Sequence, residues 1–295
     1  PVQLSVRLHG YGEGRQLLLT RDITALEQAE AMRRDSVANV SHEIRTPLTV
    51  LSGFIETLQT IELNREDAAR YLDLMGQQAD RMQTLVSDLL TLSKLEGSAP
   101  PGVHTHVAMP TLMRQLESDA LSLSQVMGQS GETDHQFAFE CNFDGFLAGA
   151  ASELLSAMGN LVSNAVRYTP AGGKITVNLR QRADGCVVFS VADTGPGIAA
   201  EHLGRLTERF YRVDRSRSRE TGGTGLGLAI VKHVAQRHGA VLAIDSTVGR
   251  GSVFSLVFPS QRVVAAIPST GAGTARSNPS APPDDPLRDA AATPD

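Results

Sequence analysis

The sequence predicts a helical hairpin that pairs with a second copy as a dimeric antiparallel four-helix bundle, followed by an α/β sandwich domain of the α+β type. Two observations predict the bundle. An apolar residue recurs every seven positions from Val37 through Ile44 and Leu51 to Leu58, and a second apolar stripe runs from Leu72 to Leu89 at spacings of three and four. The third observation is a downstream mixture of strands and helices with a closing hairpin, which predicts the two-layer sandwich.

The composition limits the class of protein. The chain has 295 residues, 41% of them hydrophobic and 20% charged, with a formal net charge of -5, so we expect a globular protein for which nucleic acid is not the default partner. Its two cysteines provide no disulfide framework. No apolar run approaches the roughly 20 residues that a membrane span requires. Because the sequence begins at Pro1 in the middle of a strand pattern, we expect a piece of a longer protein.

Residues 1–25 have the pattern of a β-hairpin. Apolar and polar residues alternate from Val2 to Leu8, a glycine-rich turn follows, and a second apolar run covers Leu17–Leu19. Two strands cannot bury a core, so we interpret them as the end of a larger domain. Thr24 and Glu27 then have the spacing of a capping box that begins a helix.

The predicted hairpin occupies residues 26–97. One helix runs from about Ala25 to Ile61, a break follows at residues 62–65, and the second helix carries the second stripe. Two such helices cannot bury both stripes against each other, which favours a homodimer. The alternative is an intramolecular bundle, which is less favoured because no further pair of striped helices follows.

Residues 98–103 form a predicted linker, and residues 104–260 form the second domain. Its predicted helices cover residues 109–127, 151–168, 201–211 and 226–238, and its predicted strands cover 136–142, 174–180, 187–192, 241–246 and 252–258. Residues 261–295, rich in Pro, Ala, Ser, Thr and Gly, are predicted to be a disordered tail.

The first helix carries a candidate nucleophile, His42. At 100° per residue, His42 lies about 140° and Thr46 about 180° from the centre of the apolar stripe, so both are expected to face solvent on one side of the helix. An exposed imidazole is largely neutral and nucleophilic near pH 7. Glu43 beside it could take the ring proton. Pro47 lacks an N–H for the Glu43 carbonyl, so a bend is expected there. Taken alone, an exposed histidine usually has no function.

Two features of the second domain suggest a nucleotide site. Asn160 and Asn164 are one turn apart on a helix, and neutral oxygens suit a Mg²⁺ ion that is held mainly by phosphates. Asp193 ends a predicted strand, where its carboxylate could accept a hydrogen bond from the amino group of a base. The ordinary alternatives are a solvated helix face for the asparagines and a tight turn for Asp193-Thr194-Gly195-Pro196-Gly197.

A glycine-rich segment completes the pattern. Residues 221–228 read Thr-Gly-Gly-Thr-Gly-Leu-Gly-Leu directly before a helix, which lets the backbone approach a phosphate and offers the N–H groups of the helix start. The segment lacks the lysine of a P-loop. Six arginines lie in residues 205–220. Such a run could be a nucleic-acid patch, but we favour a mobile lid over a nucleotide because few aromatic residues are interleaved.

Taken in order, these motifs resemble those of bacterial sensor histidine kinases. The motifs are His-Glu-Ile-Arg-Thr-Pro-Leu from His42, Asn-x-x-x-Asn from Asn160, Asp-x-Gly-x-Gly from Asp193, Phe210-Tyr211-Arg212, and Gly-x-Gly-Leu-Gly-Leu from Gly223. The sequence around His42 and the segment Leu206–Asp214 look like the phosphate-regulon members of that family. The resemblance implies a phosphoacceptor bundle followed by a Bergerat-type ATP-binding domain, and it makes residues 1–25 the end of a PAS-like sensor domain.

The resemblance also implies roles for individual residues. His42 would accept the γ-phosphoryl group of ATP, Glu43 would be its base, and Arg45 and Thr46 of the same motif would complete the catalytic set. Asn164 would ligate Mg²⁺ and Asp193 would recognise adenine. The remaining residues expected to bind ATP are Asn160, Arg167, Tyr168, Gly195, Gly197, Phe210, Arg212, Gly223, Thr224, Gly225, Leu226, Gly227 and Leu228. Arg167 stands where a lysine is frequent, and residues 150–152 lack an acidic helix start.

The implied partners are a second copy of the chain and the receiver domain of a response regulator of the phosphate-regulon type, whose aspartate takes the phosphoryl group and which the same protein could dephosphorylate. By the same resemblance, the full-length protein would lie in the bacterial inner membrane, with its membrane segments upstream and this chain as its cytoplasmic portion. Three alternatives stay open: a sensor kinase of another regulon, a mechanical ATPase of the same ATP-binding fold, and an inactive dimeric scaffold. The ATPase is less favoured because Asn160 stands where such enzymes have the glutamate that activates water, and a carboxamide is not a base.

Overall fold

A computed structural model describes residues 2–11, 15–127, 135–213 and 223–265, with the side chains at 11, 15 and 25–38 excepted. The residues up to 265 belong to one unit. The predicted tail from 266 onward lies outside the described residues. Within the described part of the chain, no helix has both the length and the apolar character needed to cross a membrane.

The first elements are the predicted hairpin and a long helix. Strands β1 (Leu4–Tyr11) and β2 (Arg15–Asp22) pair antiparallel, and α1 (Thr24–Thr60) follows directly. The predicted capping box is wrong, because Thr24 is the first helical residue and not the cap. Its backbone N–H donates to Asp22 Oδ1 over 2.9 Å, and its hydroxyl oxygen accepts the Gln3 N–H over 2.8 Å. Thr24 therefore fixes the start of α1 to the hairpin.

The second helix of the pair, α2 (Arg65–Gly97), begins at a cap that the sequence analysis did not identify. Asn64 Oδ1 accepts the Asp67 N–H over 2.8 Å, and Glu66 and Asp67 lie in the first turn, where negative charge is favourable. Helix α2 packs against α1, with the rings of Phe54 and Tyr71 5.3 Å apart.

The remaining elements form the predicted sandwich. Helices α3 (Met109–Met127), α4 (Ala151–Tyr168) and α6 (Gly227–Arg237) pack against a five-stranded sheet. The sheet has the order β4 (Gln136–Asn142), β6 (Lys174–Gln181), β7 (Val187–Asp193), β9 (Gly251–Phe258) and β8 (Val241–Thr247). Only the β4–β6 pair is parallel among these described strands. The sequence predicts both ends of each of these strands and helices to within one or two residues.

Three short strands and one short helix differ from the prediction. Strands β3 (His106–Ala108), β5 (Gly145–Ala148) and β10 (Val263–Ala265) form a separate sheet with β5 in the centre. Strand β10 lies beyond the predicted boundary at residue 260, so the ordered domain continues to Ala265 and the tail cannot begin at 261. The helix predicted over 201–211 is confined to α5 (Ala200–Leu203), and turns follow it.

Candidate functional site

A cavity of about 410 Å³ opens where the sequence analysis placed the nucleotide site. Its wall combines α4, the end of β7, the glycine-rich segment and one face of α2. Twelve predicted site residues line it: Asn160, Asn164, Arg167, Tyr168, Asp193, Gly197, Arg212, Gly223, Thr224, Gly225, Gly227 and Leu228. The volume is within the range of pockets that hold small-molecule ligands and cofactors.

Asp193 lies in the wall at the end of β7, as predicted. Its Oδ1 accepts the Gly195 N–H over 2.8 Å. Burial raises the pKa of the Asp193 carboxyl, while hydrogen bonds from the backbone of Gly195 and Ser252 act in the opposite direction. A carboxylate that is partly buried, held by backbone donors and turned into a cavity is suited to accept a hydrogen bond from an amino group.

The two asparagines of α4 lie on the cavity side of the helix, as their spacing predicts. Asn160 Nδ2 donates to the Ser156 carbonyl over 2.8 Å, and Asn160 Oδ1 lies directly against Gly227 at the start of α6. A Cβ atom at position 227 would collide with this amide unless the Asn160 side chain moved, so glycine permits the present contact between α6 and α4. Asn160 therefore packs against the helix start as well as lining the cavity.

The described part of the glycine-rich segment, which begins at Gly223, forms one side of the cavity wall. Gly225 has φ +73°, a left-handed conformation, and its carbonyl accepts the Phe210 N–H over 2.9 Å. The Thr224 hydroxyl accepts the Leu226 N–H over 3.2 Å. Residues 214–222, which include three of the six arginines of the predicted lid, lie outside the described residues.

Three predicted ATP-binding residues do not line the cavity. Leu226 is fully buried in the hydrophobic core, so its contact with a ligand is limited to its backbone. Phe210 packs against the same core and has φ +62°, and Gly195 acts through its N–H on Asp193. All three support the cavity without forming its surface, and their part in binding ATP stays a prediction.

Apolar side chains and one helix that the sequence analysis missed also form the wall. Ile198, Leu206 and Phe254 give the cavity a nonpolar side, which suits a flat base. Thr84 and Asp88 of α2 line it as well. No local pattern marks these two residues, because they reach the cavity only through the packing of α2 against α6.

The candidate nucleophile is exposed on α1, as its position on the helix predicts. His42, Arg45 and Thr46 are exposed, while Pro47 is buried. The Thr46 hydroxyl donates to the His42 carbonyl over 3.1 Å, which leaves its oxygen lone pairs able to accept from a water molecule. The Thr46 side chain is thus linked to the His42 backbone, and both residues are exposed on the helix.

Glu43 connects the nucleophile to the cavity. Its Oε2 lies 3.2 Å from the guanidinium of Arg81 on α2 and 3.9 Å from the guanidinium of Arg212. The Arg212 side chain is only 8% exposed, and Arg212 lines the cavity. Glu43, the residue next to His42, is therefore an ion-pair partner of Arg212 in the cavity wall of the same chain. Arg81 is a contact that the sequence analysis did not identify.

The predicted linker is held to the sandwich by two arginines. Arg237 donates to the carbonyls of Leu95, Ser98 and Ala99 over 2.7–2.8 Å, and also to both oxygens of Glu153. Arg262 donates to the carbonyls of Pro101 and Gly102 over 3.0 and 3.3 Å. The predicted linker is thus bonded to the sandwich through four of its backbone carbonyls.

The side chains of the cavity wall suit a Mg²⁺ ion that is held mainly by phosphates. They do not suit a metal ion that is bound by protein side chains alone. Among the described residues, no cluster of three or more His, Cys, Asp or Glu side chains could hold a metal ion. Asn164 offers one neutral oxygen in the wall. Mg²⁺ in nucleotide sites keeps several waters and takes few protein ligands, so this residue fits the ion.

Two family profiles match the chain in the order of its two parts. Residues 32–98 match the His Kinase A (phospho-acceptor) domain, and residues 149–262 match the family described as histidine kinase-, DNA gyrase B- and HSP90-like ATPases. The first covers α2 and most of α1, and the second covers most of the cavity.

Known relatives and structures agree with these profiles. The phosphate regulon sensor protein PhoR of Pseudomonas aeruginosa is 46% identical over 90% of this chain and 58% of its own length, and PhoR of Haemophilus influenzae is 34% identical over 88% and 59%. The chain thus spans somewhat more than half of these relatives.

Full-length ShkA, solved with AMPPNP, has a TM-score of 0.54 at 28% identity over 79% of this chain and 46% of ShkA. Histidine kinase ThkA in complex with response regulator protein TrrA shares the fold, with a TM-score of 0.60 at 21% identity over 87% of this chain and 78% of that one. The ordered motifs, the cavity, the two family profiles and these relatives agree, and the chain belongs to the sensor histidine kinases, of the PhoR type.

Proposed function

We propose that this chain transfers the γ-phosphoryl group of ATP to His42 and then to an aspartate of a response regulator. One observation carries the proposal: Glu43, the neighbour of the nucleophile, lies 3.9 Å from Arg212, a residue of the wall of the nucleotide-sized cavity. The acceptor helix therefore lies beside the cavity, and phosphoryl transfer requires the acceptor and ATP to come together.

Each part of the site supports one task in this reaction. Asp193 accepts from the adenine amino group while the nonpolar wall holds the ring, and Arg167 and Arg212 neutralise phosphate charge. In the transfer, a nitrogen of His42 forms a bond to the γ-phosphorus, the bond from that phosphorus to the bridging oxygen breaks, and Glu43 takes the ring proton. Mg²⁺, held by Asn164 and the phosphates, supplies further charge neutralisation when bound.

The proposed working form is a homodimer built through the hairpin. Leu48 and Ile55 of α1 and Leu72 and Val86 of α2 are 44–59% exposed, although the heptad pattern places them on apolar stripes. A second copy would cover these side chains and complete a four-helix bundle. Anchoring of the longer protein in the bacterial inner membrane stays a prediction.

The experiment that tests the function is labelling of the chain with γ-labelled ATP and Mg²⁺. We expect acid-labile label on the parent and none on His42→Gln, with ATP affinity within a few-fold because the acceptor lies outside the cavity. His104→Gln, an exposed histidine of the linker region, is the control. Acid-labile label that persists in His42→Gln would disprove the acceptor, and release of free phosphate without label would favour the ATPase.

We further propose that the partner belongs to the phosphate regulon and that Thr46 supports its dephosphorylation. The similarity to two PhoR proteins supports the regulon. Thr46 lies one turn after His42 on the exposed face, and its hydroxyl can accept from a water directed at a phosphoaspartate. Thr46→Ala should keep autophosphorylation and lose about tenfold or more of the dephosphorylation of purified phospho-regulator. Thr46→Ser is the control that keeps the hydroxyl, and equal phosphatase rates in all three proteins would reject the role.

A further inference from the structure

Asp88 brings a negative charge from the phosphoacceptor hairpin into the nucleotide cavity. It lies on α2, lines the cavity, and its Oδ2 accepts a 2.6 Å hydrogen bond from the Thr224 hydroxyl. Thr224 is 8% exposed and belongs to the glycine-rich segment at the start of α6. The Asp88 carboxylate of the hairpin thus accepts the hydrogen bond that the Thr224 hydroxyl of the sandwich donates.

The groups around Asp88 are those that a phosphate would use. The Thr224 hydroxyl oxygen accepts the Leu226 N–H over 3.2 Å, so the bond to Asp88 continues into the first turn of α6. Burial raises the pKa of the Asp88 carboxyl, and the Thr224 hydrogen bond and the positive charge of Arg167 counteract that effect. Arg167 also lines the cavity. Asp88 therefore interacts with a hydroxyl and a cation beside a helix start, a combination suited to an anion.

The same pattern occurs a second time between the two domains. Glu43 of α1 lies 3.9 Å from Arg212, another cation of the cavity wall. Two hairpin carboxylates thus act on the two cations, Arg167 and Arg212, that the proposed function assigns to ATP phosphates. Two negative groups cannot share one such site without repulsion, and in a partly buried cavity this repulsion is stronger than in water.

We propose that Asp88 competes with the phosphates of bound nucleotide for Thr224 and Arg167, so that docking of α2 on the cavity and binding of ATP oppose each other. This inference rests on the proposed function, because it takes ATP as the occupant of the cavity. The coupling is reciprocal: nucleotide releases α2 from the loop, and a signal that tightens the α2 contact lowers the affinity for nucleotide. Asp88 is a positioning residue of the hairpin and takes no part in the chemical step.

The test compares Asp88→Asn with the parent chain by calorimetry, using Mg²⁺ with AMPPNP as one ligand and adenosine as the other. Asparagine keeps an oxygen that accepts from the Thr224 hydroxyl and removes the charge. We expect AMPPNP to bind Asp88→Asn about tenfold more tightly than the parent, with adenosine unchanged. Asp80→Asn, an exposed residue two turns earlier on α2, is the matched control and should bind both ligands as the parent does.

The outcomes separate this inference from the proposed function. Equal or weaker AMPPNP binding by Asp88→Asn overturns the competition, and so does an equal gain for adenosine, which would show a general loosening of the cavity. If the parent binds AMPPNP and labels His42 while Asp88→Asn shows no gain, only the inference fails. If the parent binds neither ligand, the proposed function fails together with the inference.

Discussion

The hairpin and the sandwich bury their apolar side chains in different ways. In the sandwich, residues such as Leu154, Met158, Phe189 and Ile230 are fully buried between the helices and the sheet of the same chain. In the hairpin, the buried side chains of α2 are Leu85, Leu92 and Leu95, which join the hydrophobic cluster of the sandwich. Among the described side chains of α1 and α2, others that are apolar, such as Leu48, Leu72 and Leu90, are 47–59% exposed.

The difference shows that the sandwich forms its own hydrophobic core, whereas the hairpin has two apolar surfaces that need partners outside the hairpin. One surface of the hairpin is covered by the sandwich at the C-terminal half of α2. The other, with Leu72 and Val86 at 59% and 46% exposure, is available for a second copy. We therefore expect substitutions in the cavity wall to act on nucleotide binding, and substitutions on the exposed apolar surface of the hairpin to act on association.

The largest effect that this comparison predicts is loss of nucleotide binding in Asp193→Asn. The carboxylate already accepts the Gly195 N–H over 2.8 Å, and an amide has one oxygen for both that N–H and a ligand amino group. We expect the affinity for AMPPNP, measured by calorimetry, to fall by about a thousandfold or more while the dimer persists. Asp245→Asn, at an exposed position of β8, is the control, and normal affinity in Asp193→Asn would remove the adenine role.

The next effect concerns association alone. In the double variant Leu72→Glu and Val86→Glu, charges replace two side chains that a partner copy would bury, each worth about 1.5–3 kcal/mol. We expect the dimer dissociation constant, measured by sedimentation, to rise by roughly a hundredfold or more. Leu121→Glu, at a 44% exposed position of α3, should remain dimeric. A dimeric double variant would place the interface on another surface.

The same comparison explains what the sequence predicts well. Elements with long periodic patterns, such as α4 and β7, were located within one or two residues, and the motifs placed His42, Asn164 and Asp193 correctly on exposed or cavity-facing positions. These features depend on residues near each other in the chain.

Features that depend on distant contacts were missed. Strand β10 has three residues and exists through its pairing with β5, more than a hundred residues earlier. Asp88 gives no signal in the helical pattern, because its contact with Thr224 depends on the docking of α2. Thr24 has the residue type of a cap, but the nearby Gln3 N–H takes its hydroxyl oxygen.

A smaller effect is expected where the two regions are joined. Arg237 bonds three carbonyls at the end of α2 and both oxygens of Glu153, and lysine cannot reproduce this fork. We expect Arg237→Lys to lower the free energy of unfolding by about 1–3 kcal/mol in urea. Arg182→Lys, in an exposed pair with Asp184, should change it by less than about 0.5 kcal/mol. Equal stability of both variants would mean that the linker is held by other contacts.

The smallest expected effect concerns His238. It tests whether the start of helix α4 depends on this residue. Helix α4, which carries Asn160 and Asn164, begins after Ala150 without a side-chain cap on its own segment. Instead, His238 Nε2 accepts the Ala150 N–H over 3.3 Å, while Nδ1 lies 2.9 Å from the Val234 carbonyl. Because Nδ1–H donates to that carbonyl, Nε2 can accept only while the ring is neutral.

Protonation of His238 should therefore weaken the fold as the solution becomes acidic. Burial lowers the pKa of His238, with Arg262 and Arg237 acting in the same direction and the Val234 carbonyl and Glu153 against it. A histidine whose folded pKa lies below the unfolded value near 6.5 contributes stability above that pH, and this contribution is lost as the pH falls from about 6.5 through the folded pKa.

In urea unfolding between pH 8 and pH 5, the parent should lose stability more steeply than His238→Gln, which cannot titrate. His104→Gln should follow the parent, since its exposed ring caps no helix. Parallel pH profiles for all three proteins would show that α4 begins without help from His238.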